Sequence, residues 1–293
     1  MLRRETSGAF IMANDVAGAE RLNARARLDQ RSIDLRRLVV RALDGGGRGH
    51  VGSSLSLIEI MRVLYDDILD YRADDPEWSE RDRCILSKGH GCIAQYVLLA
   101  EKGFFPLEVL DTFCRRDSIL GGHPEIKVPG VEASTGALGH GLPVGVGRAM
   151  GLRMKGSKAR VFVITGDGEI NEGSVWEAAL SASKHGLSNL TLLIDYNKIQ
   201  SAGPVDEILP LEPLADKWRA FGFGVAEADG HDVSDLRRVL SRLPLEAERP
   251  STIICHTVKG KGFPFAENQP SWHHKSTLKK EAIVDMYNAL EAL

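Results

Sequence analysis

The sequence predicts a doubly wound α/β fold, a mainly parallel sheet with helices on both faces. Three observations carry this expectation. Apolar runs of strand length alternate with segments of helical periodicity, the order that builds βαβ units. Two of those runs, VFVIT from Val161 and LTLLID from Leu190, are nearly continuously apolar, as in strands buried on both faces. At 293 residues and 43% hydrophobic composition, the chain can bury a sizeable core, as one large domain or two small ones. The unbroken alternation favours one domain over residues 19–293, with residues 1–18 a flexible lead-in.

The elements follow in order. Residues 21–44 carry Leu28, Leu35, Leu38, Val39 and Ala42 at helical spacing, and Gly45-Gly46-Gly47 ends that helix. SLSLIEIMRVLYDDIL predicts a second helix, with Ser56 and Glu59 spaced as a capping box. RCILS is a short buried strand, and SKGHG leads into the helix CIAQYVLLAEKG. LEVLDTFCRR predicts an amphipathic helix, and the long loop GGHPEIKVPGVEASTGALGHG follows. GLPVGVGRAMGLRMKG sets small residues along one side, so a helix lying close to a neighbour is expected. After VFVIT, a helix presents Trp176, Ala179, Leu180 and Ser183 on one side, and LTLLID follows it. PLADKWRAFG, FGVAEA, SDLRRVLSRL, STIICHTV and LKKEAIVDMYNALEAL then read as helix, strand, helix, strand and helix.

Composition narrows the function classes. A net charge of −3 without a basic block gives no footprint for nucleic acid or a membrane surface. No window approaches the ~20 apolar residues of a membrane span, and the N-terminus lacks the apolar stretch of a signal peptide. Cys84, Cys92, Cys114 and Cys255 show no CxxC spacing, and Cys84 and Cys255 lie in apolar runs as core residues. A cytoplasmic location is the expectation.

The segment from Val161 to Gly203 carries the most chemistry. A strand, a Gly-Asp-Gly turn, a helix and a second strand put Asp167 and Asn197 at the carboxyl ends of two strands. In an open parallel sheet, ligands bind at that edge. A carboxylate and a carboxamide oxygen there suit Mg²⁺ that keeps phosphate oxygens as further ligands. Glycines on either side let backbone approach those phosphates. A lone GDG is more often only a tight turn; here its setting between two buried strands argues for a metal-bound diphosphate.

Four histidines sit in loops of small residues: His50 in RGHVGSS, His90 in SKGHG, His123 in GGHPE and His273 in PSWHHKS. Each alone fits a surface or capping role. Four such loops at strand ends favour contacts to sugar or phosphate oxygens and proton exchange near neutral pH. Their spacings do not suit zinc.

GDG followed by an asparagine thirty residues later resembles the thiamine diphosphate motif, and GDGE-x-x-EGSVWEA is close to its transketolase version. RGHVGSSLS, LSKGHG, GGHPE, STGALGHG, DYNKIQ and TVKGKG…SWH stand in the transketolase order over residues 40–275. The chain resembles the diphosphate-binding N-terminal part of a transketolase split over two polypeptides. The resemblance implies a thiamine diphosphate-binding fold, with Mg²⁺ (or Ca²⁺ or Mn²⁺ as substitute) on Asp167, Asn197 and the Ile199 carbonyl. It assigns Lys88, His90, Gly136, Ala137, Leu138, Gly168, Asn197, Lys259 and His273 to the cofactor. It assigns His50, Ser53, His123 and His273 to substrate, and His50, His90, His123 and His273 to catalysis. The chain departs from the family pattern at Val51, where proline is usual, at His140, often glutamine, and at His274, often glycine.

In transketolases, the glutamate that activates the cofactor's aminopyrimidine ring belongs to the next domain of the neighbouring subunit. The resemblance therefore implies a C-terminal partner subunit in an α₂β₂ heterotetramer. The expected activity is transfer of a two-carbon ketol unit from a ketose (phosphate) to an aldose (phosphate), with neither half active alone. Alternatives are deoxyxylulose-phosphate synthase and the 2-oxoacid dehydrogenase α subunit. The latter shares the GDG…N clamp but lacks the GHVGSS and GGHPE loops; EGSVWEA and STGALGHG favour the transketolase side over both. A non-catalytic cofactor-binding subunit fits poorly with intact Asp167 and Asn197. A nucleotide-binding Rossmann protein fits poorly because GGGRGHVGSS follows a helix rather than a strand.

Overall fold

A computed structural model describes residues 27–293, so the expected lead-in of 1–18 lies outside the described residues. Five parallel strands form one sheet in the order β1-β2-β3-β5-β4: β1 Arg83–Leu86, β2 Val161–Gly166, β3 Leu190–Tyr196, β4 Gly224–Asp229 and β5 Ser251–His256. Gly166 pairs with Asp195, and Tyr196 with His256, so β2, β3 and β5 end close together. That shared end places the loops after β1, β2, β3 and β5 at one rim.

Alternation along the strands divides the core between the two faces. Phe162 and Ile164 of β2 and Leu193 of β3 pack into one buried cluster. That cluster includes helices α1 (Gln30–Gly46), α2 (Val51–Leu55), α3 (Ile58–Val63) and α4 (Cys92–Glu101). Val161, Val163, Leu190, Leu192 and Ile194 turn to the other face. There they meet α5 (Gly141–Met154), α6 (Gly173–Lys184) and α7 (Leu214–Ala220). Helices α8 (Val233–Leu240) and α9 (Lys280–Glu291) join the first face. Among the described residues, no helix is long and apolar enough to cross a membrane.

Several local expectations hold for identifiable reasons. Gly47 takes the left-handed conformation (φ 61°) after α1, and its N–H caps Leu43 O at 2.8 Å. Helix α5 lies on β2 as its small residues predict: a Cβ at Gly145 would sit 2.4 Å from Val163 Cγ2. Cys84 and Cys255 are buried core thiols, and burial pushes the Cys84 pKa up to about 12.

Other expectations fail. The second helix breaks into α2, α3 and a π-turn at Leu64–Ile68. The capping box does not form. Ser56 Oγ instead donates to Asp195 Oδ2 at 2.6 Å, and Glu59 is held by Arg36 Nη1 at 2.5 Å, so Leu57 becomes the cap residue. LEVLDTFCRR forms only a 3₁₀ segment of two turns, Leu107–Thr112, and the chain turns away at Cys114 (φ 55°) before a third can form. The buried side of α6 is Val175, Ala178, Ala179 and Ala182; Leu180 is 60% exposed.

Candidate functional site

The strand ends bring Asp167 and Asn197 together. Asp167 follows β2 directly. Its Oδ1 accepts from Gly168 N at 2.7 Å and its Oδ2 from Lys198 N at 2.5 Å. Lys198 adopts φ 66°, which turns the chain after β3 so that its N–H reaches across to Asp167. Asn197 Oδ1 accepts from Ile199 N at 3.1 Å, and its Nδ2 donates to Asp195 Oδ2 at 3.2 Å. The Ile199 carbonyl accepts from Lys259 Nζ at 2.7 Å. The three oxygen groups named from the sequence thus lie in two loops, after β2 and after β3, joined by the Lys198 N to Asp167 Oδ2 hydrogen bond.

Two lysines face the same rim. Lys88 follows β1, is fully buried, and donates from Nζ to the Ser53 carbonyl at 3.2 Å and to Asp195 Oδ2. Burial, reinforced by the neighbouring Lys88 charge, lowers the Lys259 pKa to about 8. Gly52 leaves room for this: a Cβ there would lie 3.0 Å from Lys259 Cγ. Ser53 is buried in α2, its carbonyl turned to Lys88.

The histidine loops converge as well. His50 has ring centroids of His274, His90, His273 and His123 at 4.4, 5.4, 5.5 and 5.7 Å, and His90 lies 5.2 Å from His273. Paired backbone bonds at 2.9 Å between Gly49 and Lys275 pin the distant SWHHK loop beside His50. Gly136 packs on the His123 ring, where a Cβ would approach within 3.0 Å, so the Gly136-Ala137-Leu138 turn closes the same side. His140 stands apart, with Nδ1 2.9 Å from Leu138 O. Among the described residues, no carboxylate pairs with His50, His90, His123 or His273. Burial, followed by neighbouring positive groups, lowers His50 to about 4 and His273 to about 3, and moves His90 and His123 down as well. All four are neutral imidazoles at pH 7.

These depressed values carry a stability prediction. The unfolded chain binds more protons than the fold below about 6.5, so the histidine contribution is complete above that pH. It is lost as pH falls toward about 4, the folded value of His50. Asp167, raised to about 6 by burial and then by Asp195, opposes one of these groups. The melting temperature should therefore fall from pH 7 to pH 5, and less steeply in His50→Asn. Parallel curves for the two proteins would show that His50 is not desolvated in this way.

The donor set fits a metal-bound diphosphate. A buried Asp167 whose pKa is raised favours a cation beside it, while Lys88 and Lys259 favour an anion. Gln200 Nε2 and His273 Nδ1 are buried without a partner. Gln200 lies against Gly168, where a Cβ would come within 2.9 Å of it. Among the described residues, no three His, Cys, Asp or Glu side chains gather as a self-sufficient metal site. A cation held here would need phosphate oxygens for the rest of its ligands, as Mg²⁺ commonly does.

Comparison with known proteins places this rim in a family. Residues 28–291 match the family described as transketolase, thiamine diphosphate binding domain. The chain belongs to the transketolase family. It is 40% identical over 269 residues to a subunit of the apulose-4-phosphate transketolase of Phocaeicola vulgatus, covering 91% of this chain and 96% of that one. It is 41% identical over 241 residues to the 6-deoxy-6-sulfo-D-fructose transketolase subunit SqwG of a Clostridium species, covering 82% and 88%. The transketolase of Leishmania mexicana superposes with a TM-score of 0.81 at 30% identity, covering 89% of this chain. The chain spans 40% of the length of that transketolase.

This transketolase chain also uses residues that sequence reasoning missed. Asp195, fully buried on β3, accepts from Lys88, Ser56 and Thr257 and holds the Asn197 amide. Although burial opposes ionisation, Lys88 keeps its carboxyl below the usual range. Glu169 accepts from Gly139 N at 3.0 Å, from Gly166 N at 3.1 Å and from Ser87 Oγ, so it ties three loops together. Neither carried a local signal: LTLLID reads as strand with or without a charged last residue, and Glu169 merely follows the Gly-Asp-Gly turn.

Proposed function

We propose that this chain is the diphosphate-binding subunit of a two-chain transketolase, transferring a two-carbon ketol unit from a ketose to an aldose. The observation that carries this reading is the meeting of Asp167, Asn197 and the Ile199 carbonyl with the histidine cluster on one sheet edge. Asp167, Asn197 and Ile199 would hold Mg²⁺. Lys88, Lys259, His90, His273, Gly168 and the Gly136-Ala137-Leu138 turn would hold the diphosphate and the thiamine end. When bound, thiamine diphosphate supplies the carbon nucleophile that such a transfer needs.

The rest is the work of this chain's side chains. His50, His123 and His273 are neutral at pH 7, so each can donate from one ring nitrogen and accept at the other. They would orient the hydroxyls of an anionic sugar and exchange protons with them, together with Ser53. Relatives of near-equal length are named as subunits of transketolases for apulose-4-phosphate and 6-deoxy-6-sulfo-D-fructose, which supports an anionic sugar as substrate. The same names, and the 40% span of a complete transketolase, support a C-terminal partner subunit in an α₂β₂ assembly. Four unpaired cysteines agree with a cytoplasmic setting.

The test is a coupled assay with xylulose 5-phosphate and ribose 5-phosphate, using the chain with and without the product of the neighbouring gene. Turnover should appear only in the mixture. Without an acid–base group at the aminopyrimidine, the rate should be lower by ~10²–10⁴. Turnover by the purified chain alone, proportional to its concentration, would remove the two-chain reading.

A further inference from the structure

Lys259 reaches the clamp from a loop that is gripped from outside. Strand β5 ends at His256, and the turn that follows carries Gly260 and Gly262 in the left-handed region (φ 82° and 96°). Two side chains from distant elements hold this loop, one on each side of Lys259. His231, in the turn after β4, accepts from Val258 N through Nε2 at 2.8 Å. Arg36 of α1 donates from Nε to the Lys261 carbonyl at 2.9 Å. Gly262 leaves it room, since a Cβ there would lie 2.9 Å from the Arg36 side chain.

Both grips lead back to one carboxylate. Glu59 of α3 accepts from Arg36 Nη1 on Oε1 at 2.5 Å and from His231 Nδ1 on Oε2 at 2.8 Å. All three side chains are buried. Because Nε2 of His231 accepts, the ring proton sits on Nδ1 and faces Glu59. Only a group that accepts on both oxygens serves the two arms at once. An amide at position 59 would turn its NH₂ either toward Arg36, donor against donor, or toward His231 Nδ1. The second choice drives the ring proton to Nε2, against the Val258 N–H. For stability alone, apolar side chains would pack this site as well as a buried ion pair does. What they cannot supply is a fixed place for the backbone between Val258 and Lys261. That backbone delivers Lys259 Nζ, buried and bonded to the Ile199 carbonyl at 2.7 Å.

We infer that Glu59 is a positioning residue for Lys259, fixing through His231 and Arg36 the backbone on either side of it. The inference rests on the reading of Lys259 as a diphosphate contact for its purpose, and on these hydrogen bonds for its geometry. Glu59 then acts on the cofactor site from a distance, with Arg36 and His231 standing between it and the loop.

Glu59→Ala strands the Arg36 charge and reports mainly on the fold, so two other changes test the inference. Arg36→Met/Glu59→Leu removes both charges together, and His231→Phe keeps a ring but no acceptor for Val258 N. The first measurement needs no ligand: acetylation of the full chain by acetic anhydride, read lysine by lysine by mass spectrometry. Lys259 should react severalfold faster in both variants, while Lys88, buried on the loop after β1, keeps its rate. His231→Gln, whose Oε1 stands as many bonds from the backbone as the ring Nε2, should bring Lys259 back toward the wild-type rate. Equal acceleration of Lys88 and Lys259 marks a general loosening and overturns the inference, as does no acceleration. The second measurement is calorimetry of the full chain with Mg²⁺ and inorganic diphosphate. His231→Phe should weaken binding about tenfold, as for one lost charge-assisted contact. In a Lys259→Met background it should cost nothing further, because it acts through that amine. Additive losses overturn the inference. A wild-type chain that does not bind diphosphate would remove the diphosphate reading instead, and the labelling pattern decides the positioning role without it.

Discussion

Asp167→Ala should abolish the stabilisation of this chain by thiamine diphosphate with Mg²⁺. A ligand at a hundredfold excess over Kd adds ~2.7 kcal/mol to the stability of the state that binds it. For a domain of this size, that is a rise of several degrees in melting temperature. Asp167 is the carboxylate whose oxygens lie free of other side chains at the clamp; Asp195 beside it is already engaged by Lys88, Ser56 and Thr257. The variant loses two backbone contacts, to Gly168 N and Lys198 N, so its own melting temperature must be measured without cofactor first. Asp167→Asn keeps the shape and should lose the shift as well. A cofactor-induced shift of wild-type size in either variant would move the metal elsewhere.

Glu59→Ala should destabilise the fold by about 3–5 kcal/mol, the usual cost of leaving a buried charge without its partner. Arg36 and Glu59 side chains are essentially without solvent contact and meet at 2.5 Å, with His231 Nδ1 2.8 Å from the second carboxylate oxygen. Val258 N donates to His231 Nε2 at 2.8 Å, so the proton sits on Nδ1 and points at Glu59. Burial opposes the ionised carboxyl, but Arg36 and then His231 hold its pKa far below the usual range. Removing both charges in Arg36→Met/Glu59→Leu should restore much of the loss, since the desolvation cost goes with them. Urea midpoints measure both variants. A loss under about 1 kcal/mol in Glu59→Ala would mean that water reaches Arg36.

Glu59 also shows where sequence reading ends. Its spacing from Ser56 is that of a capping box, and the local pattern gives no hint of Arg36 or His231. A buried polar network is chosen by partners that the chain brings from far away, so it leaves no periodic trace. Asp195 was hidden likewise, because LTLLID reads as strand whether or not its last residue is charged. The rim itself was legible. A strand's end, a Gly-Asp-Gly turn and small-residue histidine loops are local features, and the parallel sheet carries them to one side without further instruction. The 3₁₀ segment at Leu107–Thr112 was misread because helical spacing does not reveal that the chain turns at Cys114.

Strand β5 lies between β3 and β4 although it is made after both. A chain emerging from the ribosome therefore cannot seat β4 in its final place until about residue 256 has appeared, and until then β3 keeps an open edge. That edge carries Asp195, whose partner Thr257 comes just after β5, and Lys259 follows two residues later. The inserted strand thus acts as a latch on synthesis: the cofactor rim becomes complete in the same late step that removes the sheet's open, aggregation-prone edge. Pulse proteolysis of stalled chains should find β4 cleavable in those that stop before Ser251 and protected in those that extend past the Gly49–Lys275 pairing.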